Sequence, residues 1–410
     1  MRTLKVLAVV FLIVFLLSGC FFVIKPIQHG RVVSVSEPDV MSKEVLQAIV
    51  DLAGVNLTLL YDVHTYRITY ETVGPDKRKS IQSGLILLPY SDVSSARGPL
   101  EVPILAIQHG TIFSRQQSPS FFDPNDIAAD NPEDLTGILA AGLGYATFMP
   151  DYGGLGVDIS TFHPFCDEFS IAYSVLDIIR AGKAFLEQKP AYYTWNAKLF
   201  LAGYSEGGYA TMAASKLIQN NSEFTITGTV PMAGPYNMSQ VMKSIVTSDA
   251  VYDHLEFLSY MMFGYYEVYH IFDSPSDVLI PPYDTELVPL FDGEHTSEDV
   301  KAVLPGNGVG KPDEIFTDYV FERLNTISSQ MNYKLRCNDL YNTWVPEVPI
   351  LMIHSAGDEA VPVENSRTAK AYYDSQGAVV NYIELPEGKH VESYIPALIL
   401  AFAWIEGLNE

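Results

Sequence analysis

Apolar and polar positions change their period along this chain. Val102 to Gln108 (VPILAIQ) and Tyr145 to Met149 are short apolar runs, the pattern of strands buried on both faces of a sheet. Pro132 to Leu143 between them predicts a helix that ends at Gly142 and Gly144. Asp167 to Gln188 is the clearest amphipathic helix. Ala172, Val175, Leu176, Ile179 and Leu186 share one face, with the small Gly182 between the last two. Lys198 to Ala202 predicts a strand, Gly207 to Ile218 a helix and Ile226 to Met232 a strand. Near the end, Val348 to Ile353 and Val379 to Leu385 read as strands around a helix from Asn365 to Ser375, and Val391 to Ile405 as an apolar closing helix. Upstream, His64 to Val73 and Ile81 to Tyr90 form a β-hairpin pattern after a lead-in with one helix, Ser42 to Leu52. Strands alternating with helices imply a mainly parallel sheet with helices on both faces, an α/β fold.

One stretch interrupts the alternation. More than 100 residues separate the strand ending at Met232 from the strand starting at Val348, far too many for a loop. They are rich in aromatics and methionine, as in Tyr260-Met261-Met262-Phe263-Gly264-Tyr265-Tyr266. This stretch is expected to be an inserted, mostly helical cap. The expected organisation is a signal segment 1–19, a lead-in 20–60, a first core part 61–234, the cap 235–345 and a second core part 346–410.

The N-terminus has its own pattern. Arg2 and Lys5 precede an unbroken apolar run, Val6 to Leu17. A spanning helix needs roughly 20 apolar residues, so this shorter run reads as the apolar region of a signal peptide. Leu17-Ser18-Gly19-Cys20 follows and resembles the lipobox of bacterial lipoproteins. That resemblance implies cleavage before Cys20, a diacylglycerol on its sulfur, and an exported protein anchored to a membrane of a bacterial cell envelope.

Composition narrows the partners. The 410 residues carry 25 Lys+Arg against 49 Asp+Glu, a net charge of -24, which repels phosphate backbones and argues against nucleic acid. Beyond Cys20 there are two cysteines, Cys166 and Cys337. A disulfide between them and two free buried thiols both fit an exported chain. No Cys/His grouping has zinc-ligand spacing, and no metal or cofactor is expected.

The candidate chemistry lies in Lys198 to Thr211. An apolar run ends in Gly203-Tyr204-Ser205-Glu206-Gly207 and a helical pattern follows. This is the strand-turn-helix of a nucleophile elbow, with Gly203 and Gly207 giving room for the close approach and Ser205 as nucleophile. A serine needs a base to take its proton. His390, in the loop after the last strand, is the candidate, and His354 is its rival. Asp358, in the loop after the preceding strand, is the candidate acid that holds the imidazole tautomer, and Glu359 is its rival. One oxyanion donor is expected from the Glu206 N–H, at a helix N-terminus. The second is expected from His109-Gly110-Thr111, with Thr111 favoured and Gly110 or Ile112 as alternatives.

The order Ser205, Asp358, His390 resembles that of the α/β-hydrolase superfamily, over about Tyr66 to Trp404. The resemblance implies an eight-stranded, mostly parallel sheet with the site at the strands' C-terminal edge. Asp151-Tyr152-Gly153-Gly154-Leu155-Gly156 and His163-Pro164-Phe165 are similar to the secretory lipases of the fungal lipase A type. That narrower resemblance implies a large helical cap and an ester hydrolase acting on lipid-like or acyl substrates. Two other functions fit parts of the pattern. One is a serine peptidase of the same fold, disfavoured by the absence of a repeat-built domain ahead of the elbow. The other is a ligand-binding surface lipoprotein without catalysis, disfavoured by the intact Ser…Asp…His order.

Overall fold

The computed structural model describes residues 26–52, 54, 57–91, 98–125 and 132–410; the signal segment 1–19 and Cys20 lie outside the described residues. The lead-in forms β1 (Val32–Val35), β2 (Asp39–Met41) and α1 (Lys43–Leu52). A long hairpin follows, β3 (Asp62–Val73) and β4 (Lys79–Tyr90), paired antiparallel from Asp62↔Tyr90 to Val73↔Lys79. The alternating part runs β5 (Leu100–Gln108), α2 (Pro132–Leu143), β6 (Ala146–Pro150), α3 (Glu168–Glu187), β7 (Tyr193–Tyr204), α4 (Glu206–Asn221) and β8 (Gly228–Met232). Residues 235–345 then hold α5 (Leu255–Tyr269), α6 (Ser297–Val303), α7 (Asp318–Asn325) and α8 (Gln330–Cys337), joined by shorter turns. Last come β9 (Leu351–Ser355), α9 (Glu364–Ser375), β10 (Asn381–Leu385) and α10 (Tyr394–Asn409).

The sheet order is β1-β3-β4-β6-β5-β7-β8-β9-β10, with β2 on β3. From β6 to β10 every neighbouring pair is parallel. This is the α/β-hydrolase architecture expected from the chain. Ten strands stand where eight were expected, because β1 and β2 both pair with β3. Strands of four and three residues offer too few alternations to be seen as a pattern. β7 also starts earlier than Lys198. Its polar first half pairs with β5 across a register shift, beside Ala197 at φ 68.

Alternation along each strand feeds two apolar clusters. Ile104, Ala106, Phe148, Leu199 and Leu201 point to one face, with α3 and α4. Leu105, Ile107, Met149, Phe200 and Ala202 point to the other, with α1, α2 and α10. Every position of β6, β8 and β9 is buried, as the continuous apolar runs predict. The sandwich leaves the C-terminal edge of the parallel strands for the loops, where Ser205 follows β7, Asp358 follows β9 and His390 follows β10.

Cys166 is buried in the α3/α4 face cluster, whereas Cys337 is exposed at the end of α8. Both are free, so the disulfide is not formed, and only one of the two thiols is buried.

Candidate active site

Ser205 stands between β7 and α4 at φ 59 and ψ -125, a conformation that costs a non-glycine residue of the order of 1–3 kcal/mol. The surroundings hold it there. Its N–H donates to Met232 O at 3.0 Å, and its carbonyl accepts from the Tyr209 N–H at 3.1 Å. Strand and helix approach so closely that a Cβ on Gly203 would lie 2.3 Å from Gly207 O, and one on Gly207 2.1 Å from Gln108 O. A third glycine is equally required, for a Cβ on Gly208 would lie 2.1 Å from Met232 O.

The three polar candidates meet at this turn. His390 Nε2 lies 2.8 Å from Ser205 Oγ, and His390 Nδ1 lies 2.6 Å from Asp358 Oδ2. An ionised carboxylate only accepts, so the proton sits on Nδ1 and the Nε2 lone pair faces the serine hydroxyl. The other carboxylate oxygen, Oδ1, accepts from the Ala360 and Val361 N–H groups at 3.1 and 2.7 Å. Burial would raise the Asp358 pKa, but hydrogen bonds from His354 and His390 outweigh it and hold the carboxyl well below its ordinary value.

The rival residues are present in supporting positions. His354 is buried behind the acid. Its Nε2 lies 2.8 Å from Val361 O, which can only accept, and 3.3 Å from Asp358 Oδ2. Its Nδ1 faces Ser366 Oγ at 2.8 Å, so this ring touches the carboxylate rather than Ser205. Glu359 accepts the backbone N–H of His390 at 2.9 Å, holding the loop rather than the ring. Tyr204 adds a further tie, its hydroxyl donating to His390 O at 2.7 Å.

Thr111, Ser205, Glu206 and His390 line one cavity of about 30 Å³. The rest of its wall is mainly apolar and includes Met238, Met242, Phe257, Leu258 and Met261 from the 235–345 segment. Gly110, an alternative oxyanion donor, gives its N–H to Glu133 Oε1 at 3.3 Å and is thereby engaged elsewhere. Among the described residues no grouping of His, Cys, Asp and Glu could hold a metal ion, and no helix is long and apolar enough to cross a membrane.

Sequence reasoning left one feature without a role. The His163 side chain reaches back to the elbow, its Nε2 lying 2.7 Å from Glu206 Oε1 and its Nδ1 2.9 Å from Gly153 O. The signal was visible in the His163-Pro164-Phe165 and Asp151 to Gly156 motifs, but nothing in the linear order says that they meet at Glu206.

A family model described as secretory lipase matches residues 133–256 and 313–408, more than half of the chain. No curated protein matches it significantly in sequence. Among solved structures, a protein from Legionella pneumophila shares 25% identity at a TM-score of 0.79, over 92% of this chain and 98% of its own. The rice cell wall degrading esterase LipA from Xanthomonas oryzae shares 24% at 0.77, over 91% and 95%. Candida antarctica lipase A in its closed state shares 16% at 0.67, over 93% and 82%. The last two likenesses are of fold.

Proposed function

Because the chain belongs to the secretory lipase family, and is thus an ester-hydrolysing enzyme, we propose that Ser205, His390 and Asp358 are its catalytic triad and that it cleaves esters of apolar acyl groups. His390 Nε2 takes the proton of Ser205 Oγ as that oxygen attacks the ester carbonyl carbon. The N–H groups of Glu206 and Thr111 hold the resulting oxyanion; one such donor is worth about 2.7–4 kcal/mol in the transition state. Collapse breaks the bond to the alcohol, which leaves with the proton from His390. Water then gives a proton to the same nitrogen and attacks the acyl carbon, and as the bond to Ser205 Oγ breaks, His390 returns that proton to the serine oxygen and the carboxylic acid leaves. The Asp358 carboxylate keeps the ring in the tautomer this requires and stabilises it when charged.

One observation carries the reading. Asp358, His390 and Ser205 form an unbroken relay of 2.6 and 2.8 Å at the mouth of an apolar cavity. The methionines in the wall suit acyl chains, since a thioether adapts around apolar ligands. Ser205→Ala is expected to abolish hydrolysis of p-nitrophenyl esters and labelling by a fluorophosphonate. Retained turnover of those esters would overturn the assignment.

Membership of a secretory family accords with export. The lipobox-like Leu17-Ser18-Gly19-Cys20 supports a lipid anchor at Cys20. Residues 235–345 act as the cap over the site in this proposal, and the two core parts around them supply the sheet.

A further inference from the structure

The geometry points to a role for the buried pair His163–Glu206 as a positioning and charge-neutralising device for the oxyanion site; the inference rests on the hydrolase reading above. Glu206 directly follows Ser205, and its backbone N–H is the expected oxyanion donor. Its carboxylate is therefore attached to the residue that must face developing negative charge. The Glu206 and His163 side chains are 0% and 2% exposed, so solvent does not screen that carboxylate.

Hydrogen-bond chemistry settles how many protons the pair holds. Gly153 O can only accept, so His163 Nδ1 carries a hydrogen. The 2.7 Å contact between Nε2 and Glu206 Oε1 then holds one proton, on the nitrogen or on the oxygen. Either way the pair as a whole is neutral. Burial opposes charge on His163, but the Glu206 carboxylate and the two hydrogen bonds raise its pKa above the ordinary value. The oxyanion therefore forms beside a neutralised carboxyl rather than a bare one.

The fold builds this contact deliberately. Gly154 sits at φ 79, and a Cβ there would lie 2.4 Å from His163 N, so the loop after β6 and the loop before α3 are in backbone contact. That contact sets Gly153 O against the ring. Tyr152 stacks at 6.1 Å on His163 from one side and Tyr260 of α5 at 5.9 Å from another. The other titratable groups facing the pair add no competing charge near neutral pH. Burial lowers the pKa of His109 and raises those of Tyr152, Tyr260 and Cys166. Across Ser205 lies His390, which is present in the wild type and in every variant of the pair.

The experiment compares the wild type, His163→Leu, Glu206→Gln and the double variant on a p-nitrophenyl ester, reading kcat and KM from pH 6 to 9. Without His163 the buried carboxyl has lost its hydrogen-bonded partner, and in its ionised form it opposes the oxyanion. The ratio of His163→Leu kcat to wild-type kcat should therefore fall at least about tenfold from pH 6 to pH 9, with KM changing much less. The double variant carries no such carboxyl, and its ratio should stay flat. Glu206→Gln can donate its amide hydrogen to Nε2 and carries no carboxyl, so whatever its kcat, its ratio to wild type should also stay flat from pH 6 to pH 9. A flat ratio for His163→Leu, or a falling ratio in the double variant, would overturn the proposal. If His163→Leu does not fold, His163→Phe is read in its place, with the same falling ratio expected and a flat ratio counting against the pair. Failure of the hydrolase reading is seen separately, as turnover that survives Ser205→Ala.

Discussion

At the scale of single residues, the site separates two carboxylates that stand side by side in the chain. Asp358 turns both oxygens to the site, one to the His390 ring and one to the N–H groups of its own loop. Glu359 instead receives the His390 backbone N–H and lies 3.5 Å from His254 Nε2. The two should respond differently to removal of charge. Asp358→Asn keeps the shape but offers an amide hydrogen where the ring must donate, and it is expected to lower kcat by about 10⁴ through the wrong tautomer. Steady-state kinetics with folding checked by circular dichroism measures this; a loss below about tenfold would show that Asp358 does not direct the imidazole. Ser205 and His390 were legible in the chain by their places after predicted strands, whereas the chain offered both Asp358 and Glu359 as the acid. His354 was legible as a histidine near the acid, but its place behind Asp358 required the packing of α9, which supplies Ser366.

At the scale of elements, the elbow depends on how near α4 comes to the sheet. The chain shows Gly207-Gly208 as a pair, and only the first belongs to the recognisable pattern. The structure gives the second its own task, because β8 passes 2.1 Å from where a Cβ would be. The obstacle is backbone, which cannot rotate away. Gly208→Ala is therefore expected to push α4 from β8 and cost roughly 1–3 kcal/mol or more, the range for overpacking. Urea denaturation reads the loss, and a wild-type midpoint would mean that the elbow tolerates the shift. The same reasoning explains the differences between expected and observed strands. β7 extends back to Tyr193 because its polar half is paired with β5, a contact that hydrophobic periodicity does not register.

At the scale of the whole molecule, the 235–345 segment is tied to the loops carrying Asp358 and His390. The Tyr252 hydroxyl donates to Ala360 O at 2.8 Å, and Lys389 pairs with Asp253 at 3.6 Å. His254 adds its contact to Glu359. Burial opposes charge on His254, but the hydrogen bond it donates to Glu256 leads the interactions that raise its pKa. The proposed anchor belongs to this scale as well, because a lipid on Cys20 would place the whole enzyme at a surface. Several acyl chains, at about 0.8 kcal/mol per buried CH₂, hold a protein stably. Cys20→Ala is expected to move the protein from the membrane fraction to the soluble one with its esterase activity intact. Unchanged membrane association would reject the lipid anchor.

What the chain by itself determined was the order of strands and helices, the hydrolase fold, and the three residues offered at one sheet edge. Periodicity and loop position carry that information locally, since buried strands and amphipathic helices must write their contacts into neighbouring positions. Only the tertiary structure decided which of two adjacent carboxylates meets the imidazole, that Cys166 and Cys337 stay apart, and that the His163 ring meets the Glu206 carboxyl beside Ser205. Those outcomes depend on distances between segments dozens of residues apart, and such distances are set by packing of the two faces and the 235–345 segment rather than by any local pattern.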